Sequence, residues 1–142
     1  MKKESKVTQT VREAVVKAVE KGKDVKTKVA EITRDAVREA LDRTELSREA
    51  VKDIARDTMT GVIDAAEIVK IEASEIVKEA SEGIVEGTKQ AGSKAAEFTK
   101  YSAEAILEAT KTAGTKAVAI TKDALKGFLQ GTKEVLKKKK QE

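Results

Sequence analysis

Apolar residues recur along the chain every eleven positions. Counted from Val7, they are Val7, Ala18, Val29, Ala40, Val51, Val62, Ala73, Ile84, Ala95, Ile106, Ala117 and Phe128. Four residues later runs a second column: Val11, Gly22, Thr33, Thr44, Ala55, Ala66, Val77, Thr88, Thr99, Thr110, Thr121 and Thr132. Every member is small or β-branched. A third column, seven residues after the first, holds Ala14, Val25, Ala36, Ser47, Thr58, Val69, Ala80, Ala91, Ser102, Ala113, Ala124 and Val135, again without a charge. Eleven residues make three helical turns at about 3.67 residues per turn, so offsets 4 and 7 fall within roughly 35° of offset 0. The pattern predicts an all-α chain of long amphipathic helices with an 11-residue repeat. Their packing is expected to be straight or slightly right-handed, because only a seven-residue repeat forces a left-handed supercoil. The apolar face approaches half the circumference, wider than a coiled-coil seam.

Charges keep the same register. Arg12, Lys23, Arg34, Arg56, Lys78, Lys89, Lys100, Lys111, Lys122 and Lys133 form a basic rail, interrupted by Glu45 and Glu67. By wheel arithmetic the rail lies about 115° from the centre of the apolar face, at its shoulder. Glu20, Glu31, Asp42, Asp53, Asp64, Glu75, Glu86, Glu97 and Glu108 form an acidic rail opposite that face. Acid–base pairs three residues apart, such as Glu31–Arg34 and Asp53–Arg56, support an exposed helix by about 0.2–0.5 kcal/mol each. Acids opposite and lysines at the shoulder also suit a helix lying on an anionic surface.

No proline or Ser/Gly linker divides the chain, so residues 1–142 read as a single repetitive helical region. Helices are expected over about 5–43, 47–86 and 90–137, with bends near 42–50 and 83–92. In the first interval Thr44 and Ser47 can cap a new helix. In the second Gly83, Gly87 and Gly92 weaken the helix, at about 1 kcal/mol per mid-helix glycine. The repeat phase leaves open whether the pieces fold back as a bundle or stay extended.

Composition narrows the chemistry. The chain has 142 residues, no cysteine, histidine, proline or tryptophan, and aromatic rings only at Phe98, Tyr101 and Phe128. So few large side chains argue against one deep core. Without histidine or cysteine the commonest general base, metal ligand and thiolate nucleophile are missing. Carboxylate spacings recur because the rail is periodic, and the glycines match no nucleotide-binding fingerprint. We therefore expect no enzyme, no catalytic or metal site, no cofactor and no small-molecule substrate. The net charge of +4 equals the Lys137–Lys140 cluster, and stacking aromatics are nearly absent, so specific nucleic-acid binding is not expected. No stretch of eighteen apolar residues exists, and MKKESKVTQT leads into no apolar run, so neither a spanning helix nor a secretory signal is expected.

From Gly83 onward the elevens become rich in Gly, Thr and Lys. GTKQAGSKAAEFTK and ATKTAGTKAVAITKDA resemble the repeats of group 3 late-embryogenesis-abundant proteins and, more loosely, the lipid-binding half of synucleins. That resemblance implies desiccation or stress protection, membrane binding and a disorder-to-helix transition. It implies a cytoplasmic protein, peripheral at a membrane or other hydrophobic surface. Two partners remain open for the face represented by Val7, Val29, Val51, Val62, Ile84, Ile106 and Phe128. One is an anionic lipid surface, with the basic rail at its edge; the other is self-association in a helical bundle or oligomer.

Overall fold

Among the described residues six helices follow one another, and the places where they stop are set by local chemistry in some cases and by packing in others. The computed structural model describes residues 5–91 and 95–126, with side chains from 97 onward in the second stretch. In α1 (Lys6–Glu20) the Ser5 hydroxyl accepts from the Thr8 amide at 3.1 Å, satisfying one of the four free N–H groups of a helix start. The helix ends at Gly22 (φ 68°), where the Gly22 amide donates to Val19 and the Lys23 amide to Ala18. These two bonds form a Schellman motif, and its left-handed residue is one that glycine adopts freely. Next comes α2 (Val25–Asp42), then α3 (Arg48–Val69), capped by Ser47 accepting from the Ala50 amide at 3.1 Å. The same Schellman pattern closes α3, with Lys70 to Glu67 and Ile71 to Ala66, but here the left-handed residue is Lys70, at φ 62°. A 3-10 turn (Ala73–Glu75) leads into α4 (Val77–Lys89). Then α5 (Ala95–Thr110) is followed by a 3-10 turn (Lys111–Ala113), Gly114 at φ 102°, and α6 over 115–126.

All regular structure among the described residues is helical, as the periodicity requires, but the segments are shorter than expected. The expected helix 5–43 is broken at 21–24, and 47–86 is broken at 70–76. Within 90–137 the described part is two helices separated at 111–114. Between α2 and α3 the break is at 43–47. In 83–92 the break comes at 90–91, after α4 has run unbroken through Gly83 and Gly87 to Lys89. An extended rod is excluded for this state, because every helix folds back on its predecessor.

Consecutive helices are antiparallel, so alternate helices run parallel, and the parallel pairs make the closest contacts. Thr8 of α1 donates its hydroxyl to the Asp57 carbonyl of α3 at 2.9 Å, and four residues on Arg12 lies 3.9 Å from Asp64. Along α3 and α5, Arg48 sits 5.0 Å over the Tyr101 ring and Lys52 pairs with Glu104 at 3.2 Å. On the other side α2 packs along α4. The helices thus form two layers, with α1, α3 and α5 in one and α2 and α4 in the other. From α1 to α5 each helix touches its chain neighbour and the next helix but one, while α1 and α5 share no substantial contact. This is an open array, not a closed bundle. A continuous core lies between the layers, centred on Val11, Val15, Val29, Val37, Met59, Val62, Ile76, Ile84 and Ile106, and α6 adds Ala117 and Leu125.

Glycine sets the spacing of helices within each layer. A Cβ at Gly83 would overlap the Thr33 hydroxyl and lie 2.5 Å from the Ala30 carbonyl oxygen. At Gly87 it would lie 2.5 Å from the Arg34 carbonyl and 2.9 Å from Val37 Cβ. Across the other layer, a Cβ at Gly61 would lie 2.7 Å from the Thr8 carbonyl. Backbone cannot step aside as a side-chain tip can, so a methyl group there forces the helices apart. An exposed mid-helix Gly→Ala change stabilises by about 1 kcal/mol. Gly83→Ala and Gly87→Ala are instead expected to destabilise by roughly 1–3 kcal/mol each, as overpacking does. Urea unfolding followed by circular dichroism checks the sign, and a gain in stability would refute the close approach.

Candidate functional site

The apolar face is the one feature that spans the whole chain, and the fold turns it inward. Of the expected surface or packing residues, Val29, Val51, Val62, Ile84 and Ile106 are fully buried, at 0–1% exposure. Val7 is half-buried and lines a groove between α1 and α2 with Thr10, Ala36 and Ala40. Phe128 lies outside the described residues. Ile68, at 56%, is the large hydrophobic side chain that stands out into solvent among those described.

The centre of the buried face is the second column, not the first. Val11, Thr33, Ala55, Ala66, Val77, Thr88, Thr99, Thr110 and Thr121 are all buried, while Gly22 and Thr44 of the same column fall in turns. Burying hydroxyls in an apolar seam requires that they find acceptors. Most find them on their own helices, although Thr8 donates across to Asp57 O and the Thr121 hydroxyl is buried without a partner among the described residues. Thr33 donates to Val29 O at 2.8 Å, Thr58 to Ile54 O at 2.7 Å, and Ser81 to Val77 O at 2.7 Å. Thr88 donates to Ile84 O at 2.8 Å and Thr110 to Ile106 O at 2.6 Å. The Thr88 hydroxyl also lies 2.7 Å from that of Ser102, which ties α4 to α5. This back-bonding one turn earlier lets threonine serve as a compact, nearly apolar wedge.

A further column, eight residues after the first, escaped the sequence reading. Val15, Val37, Met59, Ser81, Ala103 and Leu125, spaced 22 residues apart, are all buried. The residues midway between them, Lys26, Arg48, Lys70 and Gly114, are exposed at helix starts or turns. The signal was present as a 22-residue alternation within the elevens.

The basic rail does not survive as a line. Lys23, Lys78, Lys89, Lys100, Lys111 and Lys122 are exposed, and Arg12, Arg34 and Arg56 are half-buried. Lys133 lies outside the described residues, as does the Lys137–Lys140 cluster. Folding back sends the rail of successive helices to different seams: Arg12 to α1–α3, Arg34 to a cleft with Glu31, Glu82 and Glu86 between α2 and α4, and Lys111 and Lys122 to the α5–α6 groove. Several members pair locally, Arg34 with Asp35 at 3.1 Å and Arg56 with Asp53. Such exposed pairs contribute little to stability.

No family model matches the chain, and no curated protein and no solved structure matches it either. Among the described residues no three His, Cys, Asp or Glu side chains are grouped to hold a metal ion. No described helix is long and apolar enough to cross a membrane.

Two carboxylates in the α1–α3 seam are perturbed. Burial pushes Asp57 above its ordinary value of 3.8, against weaker pulls from Ser5 and Arg56. Burial likewise raises Asp64, with Arg12 opposing and Glu67 adding to the shift. A raised folded-state value means that the folded chain binds the proton more readily than the unfolded one. Stability from these groups is therefore fully present below pH 3.8 and is lost as pH rises through their folded values. Asp24, fully exposed, is held low by the Thr27 hydroxyl at 2.8 Å and acts in the opposite sense. Chemical unfolding between pH 7 and pH 4 should show the wild type gaining stability on acidification relative to Asp57→Asn and Asp64→Asn. A difference independent of pH would contradict burial of these carboxylates.

Proposed function

We propose that the chain is a non-enzymatic amphipathic helical protein that stores its apolar face within the array and lays the same face on an anionic lipid or comparable hydrophobic surface. The observation that carries this reading is the bonding of the buried hydroxyls. Thr33, Thr58, Ser81, Thr88 and Thr110 each take their acceptor from their own helix. A helix that leaves the array keeps those five bonds and gives up the cross-helix bonds of Thr8 to Asp57 and Thr88 to Ser102, so exchanging one apolar contact for another carries a small polar penalty. The core itself is built of small side chains, which insert shallowly and bind by length and by shoulder lysines more than by large anchors. A cytoplasmic, peripheral location goes with this reading, and a stress-protective role rests on the resemblance of the elevens to late-embryogenesis-abundant repeats.

The second reading, a structural helical module that works as packed, is favoured by Gly61, Gly83 and Gly87. These glycines serve helix-on-helix contact and weaken any helix lying alone.

The two part company over the same variant. In the Gly83→Ala, Gly87→Ala double variant the array is weakened while the free helix is strengthened. Under the surface reading it melts earlier in buffer yet floats with phosphatidylserine-containing vesicles at least as well as the wild type. Flotation and circular dichroism across protein concentration measure both. Failure of both proteins to bind, with unchanged cooperative melting in the presence of vesicles, would leave the structural module as the function.

A further inference from the structure

The turn between α3 and α4 differs from the others in what makes it a turn. Lys70 is the non-glycine residue with positive φ among the described residues, at φ 62°, ψ 40°. The other positive-φ positions, the left-handed one that ends α1 and the extended one before α6, are filled by Gly22 and Gly114. The segment Lys70-Ile71-Glu72-Ala73-Ser74-Glu75-Ile76 contains no glycine, proline, asparagine or aspartate. Its composition suits a helix, so local sequence does not demand the break. Packing holds it instead: Ile76 is buried at 1%, Ile71 and Ala73 pack against the core, and the Ile71 amide is bonded to Ala66 O at 3.0 Å.

The elevens also cross this turn without a phase change. Val62, Ala73 and Ile84 continue the first column, Ala66, Val77 and Thr88 the second, and Val69 and Ala80 the third. We infer that residues 70–76 are a switchable turn: when the apolar face leaves the array for a surface, this segment becomes α-helical and fuses α3 and α4 into one helix from Arg48 to Lys89. The inference rests on the surface-binding reading for its trigger. Fusion releases Lys70 from the left-handed region and places it at the edge of the apolar stripe, where its ammonium reaches headgroups. It gives 70–76 a helical hydrogen-bond ladder. Ile71 moves to the polar side opposite the stripe, about 165° from its first column, and the exposed Glu72–Lys116 pair, 3.8 Å apart, separates. The glycine-bearing breaks at 22 and 114 have no such preference for helix and serve as internal controls.

Spin labels report the switch in the full chain, which has no native cysteine. Asp53→Cys and Glu86→Cys lie on exposed positions of α3 and α4. Antiparallel packing keeps them within about 25 Å, given axes about 10 Å apart, while 33 residues of continuous helix separate them by about 50 Å. A control pair, Glu13→Cys and Glu39→Cys, spans the Gly22 break. Two conditions are used: vesicles of phosphatidylserine and phosphatidylcholine, and, without lipid, rising trifluoroethanol. The expected result is a shift of the 53–86 distance to about 50 Å on vesicles. In trifluoroethanol it should lengthen at a lower concentration than the control pair. Lys70→Gly, which relieves the turn, should require more lipid or trifluoroethanol for the same shift. Vesicle-bound protein with a short 53–86 distance overturns the switch while the surface reading stands. If the protein does not bind vesicles, the surface reading fails and trifluoroethanol decides the switch. Lengthening of 53–86 ahead of the control then supports it, and simultaneous or later lengthening overturns it.

Discussion

The structure depends on how near two helix backbones can come at Gly61, Gly83 and Gly87. With no Cβ at these positions, α4 lies against the carbonyls of Ala30 and Arg34, and α3 against that of Thr8. Between the two layers alanine, valine, serine and threonine fill the core, with Met59, Ile76, Ile84, Ile106 and Leu125 as its largest buried side chains. A chain nearly without aromatics thereby builds a core, though a thin one spread over the length of the array. Each glycine lowers the intrinsic helix preference by about 1 kcal/mol. The helices that carry them therefore depend on tertiary contact for part of their stability.

The stripe that fills the core is the one a surface would take, so packing and surface binding compete for it, although α1 and α3 also meet through Asp57, Gly61 and Asp64 outside the stripe. A surface can draw the chain out of the array only by as much as it favours the open form over the closed one. On the proposed reading the back-bonded hydroxyls make that exchange less costly, since Thr33, Thr58, Ser81, Thr88 and Thr110 carry their acceptors with them. Glycine contacts pull the other way, because they are realised only in the array. The balance between these two kinds of small residue, one portable and one not, is where the proposed function is decided.

Much of this was legible in the sequence, for a physical reason. Burial on one side of a helix imposes a period on residue type, and the Val7-to-Ala117 and Val11-to-Thr121 columns expose it directly. Helix ends were legible where side chains make them: Ser47 caps α3 as the hydroxyl at that position suggests. They were not legible at Lys70, where the chain turns although nothing in its local sequence requires it. Gly83 and Gly87 lie just before the break at 90–91, within the expected interval, but they do not make it. A glycine that weakens a helix and a glycine that admits a neighbouring backbone look the same in one dimension, and only the partner helix, with Ala30, Thr33 and Val37 opposite, tells them apart. Nor could the basic rail be read as a surface, because a rail on one helix becomes separate patches when successive helices reverse direction.

Two periods are superposed in this chain, and they serve different geometries. Eleven residues keep an apolar stripe straight along a helix of any length, which suits a flat surface. Twenty-two residues make about 33 Å of helix, the reach of one layer of a small domain. Val15, Val37, Met59, Ser81, Ala103 and Leu125 answer to that longer period, alternating with exposed residues where helices begin or end. A chain that only had to lie on a surface would have no use for the alternation, and one that only had to pack would have no use for keeping the elevens in phase through its turns. At 70–76 the phase is kept across a break that local sequence does not require. On the proposed reading, the shorter period describes the open chain and the longer one the folded array, and both are written into the same residues.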